Sequence, residues 1–337
     1  LADVKFGSST ALEVGDWVLA IGNPFGLGGS VSVGIISAKS RDINSGPYDD
    51  YLQTDAAINK GNSGGPLFNM NGEVVGVNTA IISPTGGSIG IGFAVPSDTV
   101  VAVVDQLKQY GETRRGWLGV KIQTVTDDIA ETLGVPESRG ALVSAVTPGS
   151  PAAKGGLETG DVIMKFDGKE VTTMRGLPKI VAQTQIGRTV DVEVLRKGAT
   201  KSLQITVGLL ADENAAEARL EDADEGSPQG EPPAVSEIIG LKLVPLTGEV
   251  RRKYGLDEKV TGAVIDDLDP ASPAAQKGLK PGDVIVEAGQ TPVTNPDDVI
   301  KSVDKVRKSG RKAVLLRVED GKGDLRFVAV PLDAKQE

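Results

Sequence analysis

Short β-rich runs separated by Gly, Asn and Pro turns fill residues 12–95, a pattern typical of a small closed barrel rather than an α/β sheet. Asn71-Gly72, between two of the runs, is a strong hairpin signal. Apolar residues at 100, 101, 104 and 107 then predict a helix that Ser97-Asp98 caps and Gly111 ends. The predicted strands are 16–21, 31–38, 51–54, 66–69, 73–79 and 90–95.

The second half of the chain contains an internal repeat. Residues 140–163 align without gaps to residues 262–285, and 13 of 24 positions are identical. Each copy predicts a strand, a short helix that begins Ser-Pro-Ala-Ala, and a second strand that begins Gly-Asp-Val-Ile. The pattern predicts four segments: a barrel domain over 1–111, repeated modules over 113–209 and 235–333, and an acidic, poorly packing linker over 210–234.

The composition narrows the class of protein. Hydrophobic residues at 39% and charged residues at 24% are ordinary for a globular domain, and no apolar run could span a bilayer. The net charge of −10 argues against a nucleic-acid partner, because phosphate binding needs clustered Lys and Arg. Without cysteine, disulfides and cysteine metal sites are impossible, and we predict neither a metal nor a cofactor. The start at Leu1 carries no signal sequence, so we expect that any export signal was removed or never included.

Residues 61–66 read Gly-Asn-Ser-Gly-Gly-Pro, the way in which chymotrypsin-type enzymes present a nucleophilic serine. Gly61 lets the backbone turn so that its N–H and that of Ser63 point into one space, which predicts an oxyanion hole. Serine attacks a carbonyl only when a neighbouring base accepts its proton, and the 337 residues contain no histidine. We therefore expect Ser63 to be a nucleophile without its base.

The residues around this motif predict how substrate would bind. Ala57, six residues before the serine, would form the base of the specificity pocket, which favours cleavage after small aliphatic residues. Asn62 replaces the aspartate that digestive enzymes pair with a freed amino terminus. An exposed strand edge would pair with extended substrate, and Ile81 and residues 83–88 would flank the pocket. The edge residues are Asn78, Thr79 and Ala80.

Residues 54–67, the run Gly-Asp-Trp-Val-Leu-Ala-Ile-Gly-Asn-Pro-Phe-Gly over 15–26, and the two modules together resemble the HtrA (DegP, protease Do) family from about residue 8 onward. The resemblance implies a mostly β fold: the C-terminal half of a chymotrypsin-like double β-barrel followed by two PDZ domains. The family's His and Asp lie on a first barrel that has no counterpart here. The family also implies a bacterial periplasmic location and a homo-oligomeric, trimer-based parent.

The resemblance further implies that the modules bind peptide tails. PDZ domains add a peptide as an extra strand and hold its carboxylate in backbone N–H groups at a Gly-containing loop. The partners would be unfolded or misfolded proteins with apolar C-termini. The alternative is that these strand starts are only core. The first and better candidate is Trp117, Leu118, Gly119 and Val120 with Lys121 and Ile122, and the second is Ile239, Gly240 and Leu241.

Three functions remain open from the sequence. The first is a serine endoprotease with chaperone-like activity toward misfolded envelope proteins, inactive as this chain alone. The second is a non-catalytic peptide-binding chaperone or scaffold. The third is a pseudo-enzyme whose parent never had a catalytic triad.

Overall fold

The structure, a computed structural model, describes residues 3–46, 48–135, 137–210 and 236–332. Apart from its first residue, the predicted acidic linker lies outside these ranges. The chain forms two compact units, Leu1–Arg115 and Gly116–Glu337. None of the helices in the described ranges is long and apolar enough to cross a bilayer.

The first unit contains a closed six-stranded β-barrel with strand order β1-β2-β3-β6-β5-β4. Alternate residues such as Val18 and Ala20 on β1 point inward and are fully buried, because a strand sends successive side chains to opposite faces. The predicted barrel is confirmed, although β2 continues three residues past its expected end. The strands are β1 Trp17–Gly22, β2 Ser30–Arg41, β3 Tyr51–Thr54, β4 Pro66–Asn69, β5 Val74–Ile81 and β6 Gly92–Pro96.

Helix α1, Ser97–Tyr110, follows the barrel and ends as predicted at Gly111, whose φ of 75° and N–H bond to Leu107 form a left-handed cap. The predicted cap at its start is wrong, because the N-cap residue is Pro96. The Ser97 hydroxyl instead donates to the Gly7 carbonyl at 2.7 Å, and the Asp98 carboxylate accepts bonds from residues 8–10. These two side chains therefore fasten the segment that precedes the barrel.

The second unit begins with one copy of the repeat, which we call the first module. Its five-stranded path runs β13-β12-β10-β9-β8, so that β8 is an edge strand, while β7 pairs with β14. Its strands are β7 Gly116–Trp117, β8 Val120–Thr124, β9 Ala141–Val146, β10 Val162–Phe166, β11 Lys169–Glu170, β12 Thr189–Arg196, β13 Ala199–Thr206 and β14 Gly208–Leu209. Its helices are α2 Asp127–Leu133, α3 Pro151–Lys154 and α4 Gly176–Ala182.

The second module repeats this plan with strand order β15-β16-β17-β18-β20-β21. The predicted helix starts are confirmed in both copies, since Ser150 and Ser272 each accept a backbone N–H at 3.2 Å. Its strands are β15 Ser236–Ile238, β16 Leu241–Pro245, β17 Ala263–Leu268, β18 Val284–Ala288, β19 Thr291–Pro292, β20 Ala313–Glu319 and β21 Leu325–Pro331. Its helices are α5 Gly248–Tyr254, α6 Pro273–Gln276 and α7 Pro296–Lys308.

The two modules share a buried apolar layer, in which α2 and nearby strands of the first module contact β20 and β21 of the second. Leu315, Phe327 and Ala329 bring the second module's contribution and are at most 5% exposed. In the first module the cross-strand pair that corresponds to Leu315 and Ala329 is polar, Asp191 opposite Gln204. The apolar face is thus specific to the second copy.

The same contact holds the edge strand β8. The Gln123 amide donates to the Phe327 carbonyl at 3.1 Å and accepts from the Phe327 N–H at 2.7 Å. Lys121 forms an exposed ion pair with Asp324 at 2.9 Å. Strand β21 of one module therefore supports the outermost strand of the other.

Candidate functional site

The serine turn, residues 59–66, connects β3 to β4 and is fixed by backbone hydrogen bonds. The Phe25 N–H donates to the Lys60 carbonyl at 2.8 Å, and the Asn23 N–H donates to the Gly61 carbonyl at 3.2 Å. Gly61 has a φ of 106°, and a Cβ there would lie 2.2 Å from the Asn23 carbonyl oxygen. Only glycine fits this position without moving the turn.

Ser63 lies exposed on the turn, and its hydroxyl donates to the Thr79 carbonyl at 3.1 Å. The side chain is therefore accessible to a substrate. A carbonyl oxygen of this kind orients the hydroxyl but cannot take its proton, so the group that would activate Ser63 as a nucleophile must come from elsewhere.

Two backbone donors flank the serine. Neither the Gly61 N–H nor the Ser63 N–H donates to another group in the described ranges. Because the Lys60 carbonyl points toward Phe25, the N–H on the other side of the same planar trans peptide, that of Gly61, points away from Phe25. These two N–H groups are free to bind the oxygen of an attacked carbonyl.

Asn62 on the turn and Asn78 on β5 are buried, with only 2% and 1% of each residue exposed. The Asn78 amide donates to the Pro66 carbonyl at 3.1 Å, and its own backbone bonds Gly64 and Gly65. Asn62 packs against Gly22, where a Cβ would lie 3.0 Å from the Asn62 amide. Both residues are thus enclosed by the fold, and their contact with substrate stays a prediction.

The other predicted substrate residues lie on β5 and on the segment that leads from β3 into the serine turn. A register shift between Asn78 and Ala80 places Thr79 in a bulge, where it is exposed beside Ser63. Ala57 is also exposed, and Ala80 and Ile81 are half-buried. The loop after Ile81 is tied to the serine turn by a 2.8 Å bond from the Ser88 N–H to the Asn59 amide oxygen. Their contact with substrate stays a prediction.

The loop before β8, which we call the carboxylate loop of the first module, is the segment predicted to bind the carboxylate of a peptide. The carbonyls of Leu118 and Gly119 accept bonds from Ala152 and Thr147, both at 2.9 Å, whereas their N–H groups have no partner in the described ranges. Gly119 has a φ of 81°, and a Cβ there would lie 2.3 Å from Ser150.

The residues in and after this loop contribute either to the module core or to the predicted peptide groove between β8 and α4. Leu118 is 4% exposed and belongs to the module core, while Trp117, Val120 and Ile122 are half-buried. Val120 and Ile122 on β8, with Ile180 on α4, pack on the edge of that core. Lys121 points outward to its ion pair with Asp324, so its side chain lies away from the groove.

The corresponding loop of the second module differs in how the chain enters it. Ile239 and Gly240 form a two-residue turn between β15 and β16, with φ values of 48° and 77°. Leu241, the first residue of β16, is fully buried. The strand edge beside this loop is already paired with β15.

Comparisons with known proteins agree with this architecture. The trypsin-like peptidase domain matches residues 1–77, and PDZ domains match residues 116–207 and 264–319. The solved structure "HtrA-type protease AlgW with tripeptide" is 44% identical, with a TM-score of 0.55, over 63% of this chain and 70% of that chain. The chain belongs to the HtrA/DegP family. The mostly β fold with a trypsin-like barrel and two PDZ domains is confirmed.

Curated HtrA/DegP relatives extend the match over nearly the whole chain. "Probable periplasmic serine endoprotease DegP-like" of Brucella suis biovar 1 (strain 1330) is 44% identical over 98% of this chain and 61% of its own length. The protein of the same name in Rhizobium meliloti (strain 1021) is 46% identical over 98% of this chain and 63% of its own length. This chain thus spans about three fifths of the length of these relatives.

Proposed function

We propose that this chain carries the nucleophile-bearing lobe and the client-binding modules of a periplasmic serine endoprotease. Ser63 attacks the scissile carbonyl, and the N–H groups of Gly61 and Ser63 hold the developing oxyanion. The observation that carries the proposal is the exposed Ser63 on a fixed turn beside two N–H donors without partners in the described ranges. The periplasmic assignment is supported by the names of the relatives.

The base and its orienting acid are proposed to lie on a lobe outside these 337 residues, because the chain has no histidine. An apolar surface beside the serine turn supports this proposal. Val31, which pairs with Ile21 next to Gly22, is 61% exposed, and Val33 and Trp17 on the same two strands are 54% and 59% exposed. Large exposed apolar side chains on neighbouring strands are typical of a docking face.

The first module is proposed to tether unfolded or misfolded clients through apolar C-termini, which raises their concentration near Ser63. Two observations on the described part of the chain support this role: the outer edge of β8 pairs with no strand there, and the N–H groups of Leu118 and Gly119 have no partner there. Clients held in this way would be cleaved or shielded in a homo-oligomeric, trimer-based parent.

Casein hydrolysis tests the proposal. We expect none from the 337-residue chain, clear activity when the same chain carries the upstream segment of its parent, and loss of that activity in Ser63→Ala of the longer protein. A peptide library should show cleavage after small aliphatic residues rather than after Lys or Arg. Hydrolysis by the 337-residue chain alone would contradict the division of the catalytic groups.

The absence of histidine favours a second candidate, a non-catalytic peptide-binding chaperone or scaffold. The same assays separate the two. If the longer protein suppresses aggregation of an unfolded client but hydrolyses no casein, and Ser63→Ala changes neither result, the second candidate is the function.

A further inference from the structure

The outer edge of β16 in the second module is occupied by the chain itself. Strand β15 runs antiparallel to β16, with Ser236 opposite Leu243 and Ile238 opposite Leu241. A peptide that extends a sheet uses this kind of edge and pairs with its N–H and C=O groups. In the first module the matching edge of β8 has no paired strand in the described ranges, because β7 pairs with β14 instead.

The two carboxylate loops are otherwise equivalent. The Gly240 carbonyl accepts from the Asp269 N–H at 3.0 Å, as the Gly119 carbonyl accepts from Thr147 at 2.9 Å. A Cβ on Gly240 would lie 2.4 Å from Ser272, and on Gly119 2.3 Å from Ser150. The difference lies in how the chain enters the loop. In the second module, β15 runs along the edge of β16 with which a peptide would pair, and a tight hairpin turn then leads into β16.

Ile238 occupies the apolar part of this groove. Its half-buried side chain packs on the module core, which includes Val299 and Val303 of α7, and β15 as a whole contacts α7. A peptide bound between a strand and a helix would place its last apolar residue beside the same loop and the same helix. Strand β15 therefore has the direction, the backbone pairing and the apolar end residue of a ligand.

We propose that residues 236–238 are an intramolecular ligand of the second module, so that each chain has a single site for peptide C-termini, on the first module. The proposal rests on the proposed function of the first module as a peptide-binding site. It assigns the second module to support of β8 through β21 rather than to capture of a second client.

The first test counts peptides bound per chain. Isothermal titration of the full chain with a ten-residue peptide that ends in valine with a free carboxylate should give one site, and the amidated peptide should give none. Ile122→Arg places a charge in the groove of the first module and should weaken binding by about tenfold or more. Two sites in the unmodified chain, or unchanged affinity in Ile122→Arg, would overturn the proposal.

A second test opens the occupied edge. Residues that flank a two-residue hairpin turn form a hydrogen-bonded pair and such pairs alternate, so the Ser236 N–H bonds Leu243 while that of Glu237 points away. Ser236→Pro combined with Ile238→Ser should remove the ligand and raise the count to two peptides per chain. Glu237→Pro is the matched control and should keep one. If the unmodified chain binds one peptide and the opened variant also binds only one, the proposal is overturned.

The same titrations distinguish the occupied groove of the second module from the peptide site of the first module. If the unmodified chain binds no peptide but the opened variant binds one, the occupied groove is supported and the peptide site of the first module is refuted. If none of the variants binds, both are refuted. Hydrogen exchange gives a further check that does not depend on the variants: amides of β16 should exchange slowly and stay unchanged on peptide addition, whereas those of β8 should become slower. Protection of β16 on peptide addition would count against the proposal.

Discussion

Phe327→Ser should loosen the layer shared by the two modules without unfolding either module. Phe327 is 5% exposed and contributes to this layer together with Leu315 and Ala329. A phenylalanine buries about 150–250 Å², and truncation of a buried phenylalanine costs about 3–5 kcal/mol. Because part of that contact lies within its own module, we expect about 3 kcal/mol at the interface, or roughly a hundredfold change in an opening equilibrium.

Hydrogen exchange of the full chain, followed by mass spectrometry, measures this change. Amides of α2 should exchange roughly a hundredfold faster in Phe327→Ser, while those of β17 and β18 should change much less. Phe327→Leu keeps an apolar side chain and should change α2 by tenfold at most. Ser202→Ala, at the matching exposed position of the first module, is the neutral control. Unchanged exchange of α2 in a folded Phe327→Ser chain would refute the shared layer.

Three further predictions concern the serine turn, the buried carboxylates Asp161 and Asp283, and the exposed carboxylate of Asp98. Gly61→Ala in the longer protein of the casein assay should lower kcat by about a hundredfold through distortion of the oxyanion donors, whereas Gly29→Ala, where the backbone has no positive φ and a Cβ meets nothing within 4 Å, should keep most activity in a peptide hydrolysis assay. Asp161→Asn should cost about 3 kcal/mol, because both carboxylate oxygens bond Arg196, at 2.6 and 2.7 Å. Asp283→Asn should cost less, about 1 kcal/mol, since burial outweighs the Arg326 charge and raises the pKa of Asp283; equal losses in urea unfolding would contradict this ranking. Partial burial opposes ionisation of Asp98, but hydrogen bonds from Thr10, Ser9 and Ser8 outweigh it and hold its pKa below the ordinary value. This stabilisation is present above the unfolded-state pKa and is lost as pH falls through the folded-state pKa, although solvent screening keeps it small at this exposed carboxylate. Urea unfolding at neutral and acid pH should therefore show a larger acid-induced loss of stability for the unmodified barrel than for Asp98→Asn.

The parts of the fold that depend on local pattern could be predicted from the sequence. The Asn71-Gly72 signal marks a real turn, with Gly72 at a φ of 77° and its N–H bonded to Asn69. The repeated Ser-Pro-Ala-Ala segments predicted both module helices because a hydroxyl, a proline and two helix formers suit a helix start wherever they occur. Ser97-Asp98 has the same local character, yet the chain before the barrel competes for both side chains. That competition cannot be read from nearby residues.

The candidate sites likewise combine features that the local sequence predicts with features that depend on residues far away in the chain. An exposed Ser63 followed from its motif, but burial of Asn62 and Asn78 depends on strands far away in sequence. The pairing of β15 with β16 had only a weak signal, since Ile239 is β-branched and rarely adopts the positive φ seen here. The shared layer could not be read from the repeat alignment, because the correspondence of Leu315 and Ala329 to Asp191 and Gln204 depends on the strand registers.

The face formed by β20 and β21 of the second module is apolar, whereas the matching face of β12 and β13 in the first module is polar, so the two modules cannot exchange places. If a copy of the first module took the place of the second, it would bring Asp191, Ser202 and Gln204 against α2 and would bury polar groups where Leu315, Phe327 and Ala329 now lie. The contact between the modules therefore has a direction: the second copy supplies the apolar face, and the face of the first copy cannot take its place.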